Sequence, residues 1–271
     1  QAPLRHGVMP GRFAGLAPKV RLLAPFVFLA GVLFASNAPA ACRSSGPLEQ
    51  ATVAGHYDGD TLRLTDDRRV RLLGIDTPEM NYRKGTPQPL AQRALQRTRS
   101  LLPRGGPVRL ARDRQVQDRY GRLLAHAYRP DGTSVEETLL REGLAVSFIL
   151  PPNVALTDCL LAAERQARVA RGGLWALPDY QPQAADKVLA DGSYRLVRGK
   201  ITSALRRGDW ILFKLDDRVH LRIARADWKA FVPADHLAWR GRDVIARGKI
   251  QSRNGAAQLR LWHPAQIELL R

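Results

Sequence analysis

From about residue 50 onward the chain is dominated by short runs in which apolar and polar residues alternate, interrupted by three stretches with helical spacing. ATVAGHYDGDTLRL (51–64) and RRVRLLGI (68–75) read as strands bounded by turns, and PLAQRALQRTRSLL (89–102) as a helix. PVRLARD (107–113) and GRLLAHAYR (121–129) are further strands. Ser134 opens SVEETLLREG with Glu137 three residues on, a capping box, and Gly143 is placed to end that helix. In LTDCLLAAERQARVARGG (156–173), Leu156, Leu160, Ala163, Ala167 and Ala170 form one stripe before Gly172 and Gly173 stop the helix. Glu164 is expected to anchor this helix through a hydrogen bond or ion pair, and Trp175 to pack beneath it.

The rhythm changes after LPDYQPQAAD (177–186), a proline- and glutamine-bearing stretch that reads as a linker. YRLVRGKITSA, WILFKL and VHLRIA then read as three strands and RADWKAFV as a short helix. RDVIARGKIQ and AAQLRLW form two more strands, joined through Asn254 and Gly255, a hairpin signal. Five short strands with one helix after the third predict a smaller, OB-like barrel. The fold class expected is mainly β with α (α+β), with segments at 41–177, 178–186 (linker) and 187–271.

Residues 1–40 stand apart. Lys19 and Arg21 precede the apolar run Leu22–Ala35, which falls short of the roughly 18 residues of a membrane span, and Ala38 and Ala40 follow as an A-x-A signal. The stretch is expected to be a secretory signal cut after Ala40, which makes the protein periplasmic or secreted. In such a compartment Cys42 and Cys159 are a pair able to form a disulfide. A lipid anchor on Cys42 is the rival, although Pro39 stands where such signals want Leu. No Cys/His cluster has zinc spacing.

Charge narrows the partners. A formal net charge of +18 over 271 residues, with a sequence pI near 11.0, calls for a polyanion, either nucleic acid or an anionic membrane. Arginine far outnumbers lysine, which suits forked contacts to phosphate. Against this background the acids of DGDTLRLTDDRRVRLLGIDTPEM (58–80) stand out. Asp60 and Asp76 offer hard oxygen ligands for Ca²⁺ or Mg²⁺, Glu79 is a free base, and Arg71 and Arg122 could grip a phosphate from two sides. Phosphodiester cleavage needs that combination. Alone, Asp58-Gly59-Asp60 is an ordinary turn, and Asp58 would either orient a neighbouring ligand or be solvated. DGDTL also resembles the aspartate-nucleophile phosphatases, but Leu62 stands where they carry Thr or Val. Arg71 and Asp76, five apart, face opposite ways on a regular strand, so a shared ligand requires a bend, for which Gly74 is the evident place.

Residues 50–176 closely resemble the staphylococcal nuclease (thermonuclease) family. DGDT, RLLGIDTPE, DRYGRLLAHAY, LLREGLA, Pro152-Asn153 and GLW follow in that family's order and at near-family spacing. The resemblance implies a five-stranded OB-type barrel with three helices, and a Ca²⁺-dependent, sugar-nonspecific nuclease acting on DNA and RNA and leaving 3′-phosphate ends. By motif, Asp60, Asp76 and the Thr77 carbonyl bind the ion, Glu79 is the general base, Arg71 and Arg122 hold the phosphate, and Arg119 and Tyr120 meet a neighbouring phosphate. The chain departs from the family in a shorter, lysine-poor loop at Met80–Pro89, in Phe148 where two tyrosines stack on a base, and in Arg119 where a lysine stands. Two other readings compete with catalysis: a binding or scaffold protein that keeps the fold without turnover, and a cationic adhesion protein whose acids hold a structural ion. In the second barrel Trp210, Phe213, Trp228, Phe231, Trp239 and Trp262 are core residues or base-stacking platforms.

Overall fold

The computed structural model describes residues 41–82 and 85–270. The expected signal segment, residues 1–40, lies outside the described residues, as do Arg83 and Lys84 of the loop that follows Glu79.

Strands β1 (Leu48–His56), β2 (Thr61–Leu64) and β3 (Arg69–Leu72) form a meander, and β4 (Gly74–Asp76) leaves it. Helix α1 (Ala91–Leu101), β5 (Pro107–Gln117), β6 (Leu123–Tyr128), α2 (Val135–Arg141), β7 (Val146–Phe148) and α3 (Thr157–Val169) complete the first segment. The sheet closes in the order β1-β2-β3-β6-β5, antiparallel except for the β3/β6 pair. Alternation accounts for the closure: Val53, Leu62, Leu64, Val70 and Leu72 turn inward onto Leu110 and Ala125, while Arg63 and Arg69 face water. Leu101, Leu139 and Leu160 of the helices seal the barrel.

Ser134 caps α2 by accepting from the Glu137 N–H at 3.2 Å, but the Glu137 carboxylate turns instead to the Cys42 N–H at 2.9 Å and to Arg141. The capping box is half made, because tying down the chain around Cys42 takes its second member. Cys42, buried, is bonded to Cys159 of α3 across 117 positions. A loop that long stabilises the fold by roughly 4 to 5 kcal/mol on the chain-entropy account. A Cys42→Ser/Cys159→Ser variant is therefore expected to melt on the order of 10 °C lower, as read by circular dichroism.

The stretch expected to be a linker is packed rather than free. Tyr180 stacks on Tyr194, with ring centroids 5.7 Å apart, and β8 (Pro182–Ala184) pairs in parallel with β9 (Asp191–Arg207). Then come β10 (Trp210–Leu215), β11 (Val219–Ala224), the single turn α4 (Arg225–Trp228), β12 (Asp243–Arg253), β13 (Ala256–Leu261) and β14 (Ile267–Leu269). The β12/β9 pairing closes β9-β10-β11-β13-β12 into a ring. Its strand order and its one parallel pair, β11/β13, match those of the first barrel. Asn254 and Gly255 both take positive φ, as a two-residue hairpin turn requires.

Phe213, Phe231 and Trp239 are buried in the second barrel and Trp228 stacks on Phe231, so four of the six aromatics are core. Between the barrels, Val146, Ala167, Leu174 and Trp175 pack against Tyr194 and Leu196. Glu164 anchors α3, accepting from the Ser147 N–H at 2.7 Å, and pairs at 2.5 Å with Arg247 of β12.

Candidate active site

The turn between β1 and β2 is pinned before any ligand is considered. Gly59 lies against Thr77 and Ala94 so closely that a Cβ would sit 2.8 Å from Thr77 Cγ2, and its carbonyl accepts from the Thr98 hydroxyl of α1 at 2.7 Å. Asp60 is thereby fixed and buried. Its Oδ2 accepts from the Thr77 N–H at 2.8 Å and pairs with Arg71 Nη1 at 3.0 Å, while Oδ1 accepts from the Thr61 hydroxyl.

The bend between Arg71 and Asp76 falls at Gly74. Its φ is +75°, and a Cβ there would meet Leu160 Cδ1 at 2.4 Å, so glycine alone fits both the conformation and the space. The chain leaves the barrel sheet at this point: β4 pairs with β7 in a separate two-stranded sheet. Asp76 consequently returns toward Arg71, whose Nη2 lies 3.0 Å from Asp76 Oδ1. One guanidinium bridges two buried carboxylates, the contact that a regular strand would forbid.

Glu79 follows the Thr77-Pro78 turn and keeps about half of its side chain in solvent. Burial raises its carboxyl above the ordinary range. Asp58 is pushed up to about 7, first by burial and then by the charge of Asp60. Burial is the main cause of both shifts, and the nearby Asp60 and Asp76 carboxylates add to it, negative charge that a divalent cation would relieve. Thr77 Oγ1, buried without a hydrogen-bond partner in the same cluster, is a further unsatisfied oxygen. Two buried carboxylates, Asp60 and Asp76, and the main-chain carbonyl of Thr77, next to Asp76 in the chain, offer a hard, all-oxygen donor set of the kind that fits Ca²⁺ or Mg²⁺. Among the described residues no group of three or more His, Cys, Asp or Glu could hold a metal ion, so the donor set rests on two acids and the main chain.

The positive groups are arranged differently from the sequence expectation. Arg122 stands at the foot of β6, beside β3, but its Nε is held by Asp118 at 2.7 Å, and its guanidinium carbon lies 5.6 Å from the Tyr120 ring centroid. Arg119 donates to the Tyr120 hydroxyl at 2.6 Å. Exposed Arg119 and Tyr120 and half-buried Arg122 thus form one unit. Asp60, Arg71, Asp76, Thr77 and Glu79 are brought together, and the side chains of Arg119, Tyr120 and Arg122 make no hydrogen bond or ion pair with them among the described residues. His126 and His56 take no part, and burial drops His56 to about 4.

One residue at the site went unread in the sequence. Lys249 of β12 places Nζ 2.9 Å from Asp76 Oδ2 and 3.7 Å from Glu79 Oε1. Burial opposes its charge, but the Asp76 and Glu79 carboxylates together outweigh burial and raise the ammonium pKa. Alternation in β12 puts Lys249 on the outward face with Gln251 and Arg253, yet only the docking of the barrels aims it at residues far away in sequence.

Comparison with known proteins comes to the same place. Residues 69–177 match the staphylococcal nuclease homologue family, a span that contains Arg71, Asp76, Glu79 and Arg122 and begins after Asp60. The SPbeta prophage-derived endonuclease YokF of Bacillus subtilis is 37% identical over 138 residues, 49% of this chain and 46% of that protein. The thermonuclease of Staphylococcus intermedius is 36% identical over 122 residues, 44% of this chain and 71% of that protein. An uncharacterized endonuclease of Escherichia coli O157:H7 is 31% identical over 155 residues, 56% of this chain and 90% of that protein. The chain thus spans about half the length of the Bacillus relative and most of the length of the other two. With this site on this barrel, the chain belongs to the staphylococcal nuclease homologue family.

Proposed function

We propose that the protein is an exported, divalent-cation-dependent nuclease that hydrolyses phosphodiester bonds of DNA and RNA without regard to the sugar. The observation that carries this reading is the Asp60–Arg71–Asp76 bridge with Glu79 half-exposed beside it. Asp60, Asp76 and the Thr77 carbonyl would hold Ca²⁺, or Mg²⁺ in its place, which when bound neutralises charge growing on the phosphoryl oxygens. Glu79 takes the proton of the attacking water, and burial, which raises its pKa, makes it a stronger base than a solvated carboxylate. Arg71, fixed by forked contacts, presents planar donors matched to a phosphate. Arg122, with Arg119 and Tyr120, holds the chain of phosphates alongside. Cleavage is expected to leave 3′-phosphate ends, by likeness to the family. The cationic surface draws polynucleotide in, so affinity falls as salt rises.

The test is digestion of single- and double-stranded DNA and RNA with added Ca²⁺ or Mg²⁺ and with chelator, followed by end-group analysis. Chelation is expected to cut the rate at least a hundredfold and Ca²⁺ to restore it, the scale of removing one strong electrostatic stabiliser. Digestion undiminished in chelator would overturn the reading, and binding without scission would return the protein to the non-catalytic class.

A further inference from the structure

The outward face of the second barrel is unlike the rest of the surface. Alternation sends Ile211, Phe213, Leu221, Ile223, Leu259 and Leu261 inward, and leaves the intervening positions of β10, β11, β13 and β12 facing out. Those positions carry indoles and cations. Arg222 lies 4.0 Å above the Trp210 ring, and Arg260 lies 5.1 Å from Trp210 and 3.1 Å from Trp262, so guanidinium and indole planes alternate. Arg222 and Arg260 are direct cross-strand neighbours, a like-charge pairing that costs stability by itself. Among the described residues neither Arg222 nor Arg253 has a carboxylate within 4.0 Å, and Arg260 has only Asp227 at 3.9 Å. Burial, and then the charge of Arg253, lowers the Arg222 pKa.

This face shares Lys249 with the candidate active site. A cavity of about 320 Å³ is walled by Asp76, Thr77 and Lys249. Lys249 also walls a second, of about 480 Å³, with Arg119 and Phe148 on one side and Trp210 and Trp262 on the other. That cavity contains no acidic residue and shares Trp210, Arg222 and Arg253 with a third of about 580 Å³. Lys249 therefore stands where the groove from the second barrel meets the carboxylate cluster.

We propose that this outward face is a binding track for single-stranded polynucleotide, stacking bases on Trp210 and Trp262 and holding phosphates with Arg222, Arg253 and Arg260, in line with the pocket at Lys249. Guanidiniums with few carboxylates beside them fit a polyanion, and half-buried indoles among them fit unpaired bases, which a duplex hides. The proposal rests on the nuclease reading only for what becomes of the strand. Binding itself is independent of cleavage.

Fluorescence anisotropy of a labelled oligo(dT) of about 15 nucleotides, a length one such barrel can cover, tests it on the full chain in chelator. Trp210→Ala/Trp262→Ala is expected to weaken binding at least about tenfold with little change in salt dependence. Arg222→Gln/Arg260→Gln should lower the salt slope by about two. Trp210→Phe/Trp262→Phe, which keeps the stacking surface, should restore most of the affinity, and this separates stacking from misfolding. An abasic deoxyribose-phosphate oligomer of the same length should bind the parent chain at least about tenfold more weakly. Affinity indifferent to the tryptophans, or equal for the abasic oligomer, overturns the track. A chain that binds through these tryptophans yet cuts nothing would sink the nuclease reading and uphold this one.

Discussion

Replacing Glu79 with Gln is expected to lower kcat by roughly 10²- to 10⁴-fold, the usual contribution of a positioned general base. The substitution is nearly isosteric and removes only the ability to accept a proton. Stability should change little, because the only ion pair of Glu79 among the described residues is the 3.7 Å contact with Lys249 at a half-exposed side chain, and exposed pairs contribute about 0 to 1 kcal/mol. The backbone anchor of this residue, the Glu79 N–H donating to Gln88 Oε1 at 2.9 Å, does not involve the side chain. Ion binding by Asp60 and Asp76 should likewise survive. Steady-state kinetics, thermal melting and Ca²⁺ titration on one preparation separate these effects. Near-parental turnover in a folded, ion-binding Glu79→Gln protein would remove Glu79 as the base.

Much of this site could be read from local rules. The inward alternation of β1 to β3, the Ser134 cap and the Asn254-Gly255 hairpin are short-range, and each appears where spacing puts it. The bend at Gly74 was also legible, because Arg71 and Asp76 cannot share a partner on a straight strand. What escaped was set by the packing of one barrel on the other. Lys249 reaches Asp76 only because β12 docks there, and no period or motif encodes that approach. The apparent linker hid for the same reason: its prolines and glutamines look like a free tether, but Tyr180 finds Tyr194 and β8 finds the edge of β9. Arg122 illustrates a subtler gap. The motif names the residue, while the neighbouring Asp118, which no motif singles out, holds its guanidinium.

The second large effect is on stability, at the join between the barrels. Glu164 and Arg247 are 1% and 5% exposed at the side chain, so each charge has given up its water. Their remaining capacity is filled from both sides: Glu164 accepts from the Ser147 N–H, and Arg247 donates to the Ala265 carbonyl and the Ser147 hydroxyl. Truncating Glu164 to Ala leaves a buried guanidinium without its counter-charge, a change that costs about 3 to 5 kcal/mol. It also leaves the Ser147 N–H unpaired. The expected result is a fall in Tm on the order of 10 °C, with activity reduced as well, because Arg247 stands two residues before Lys249 on β12 and helps fix that strand against the site. Replacing both partners together, as Glu164→Leu/Arg247→Met, removes the charge and the demand for its partner, and should recover most of the loss. A double-mutant cycle by denaturant unfolding decides the matter. If Glu164→Ala melts within about 2 °C of the parent, less than a 1 kcal/mol loss would produce, the pair is not holding the barrels together; if the double substitution is as damaging as the sum of the single ones, the two charges are not coupled.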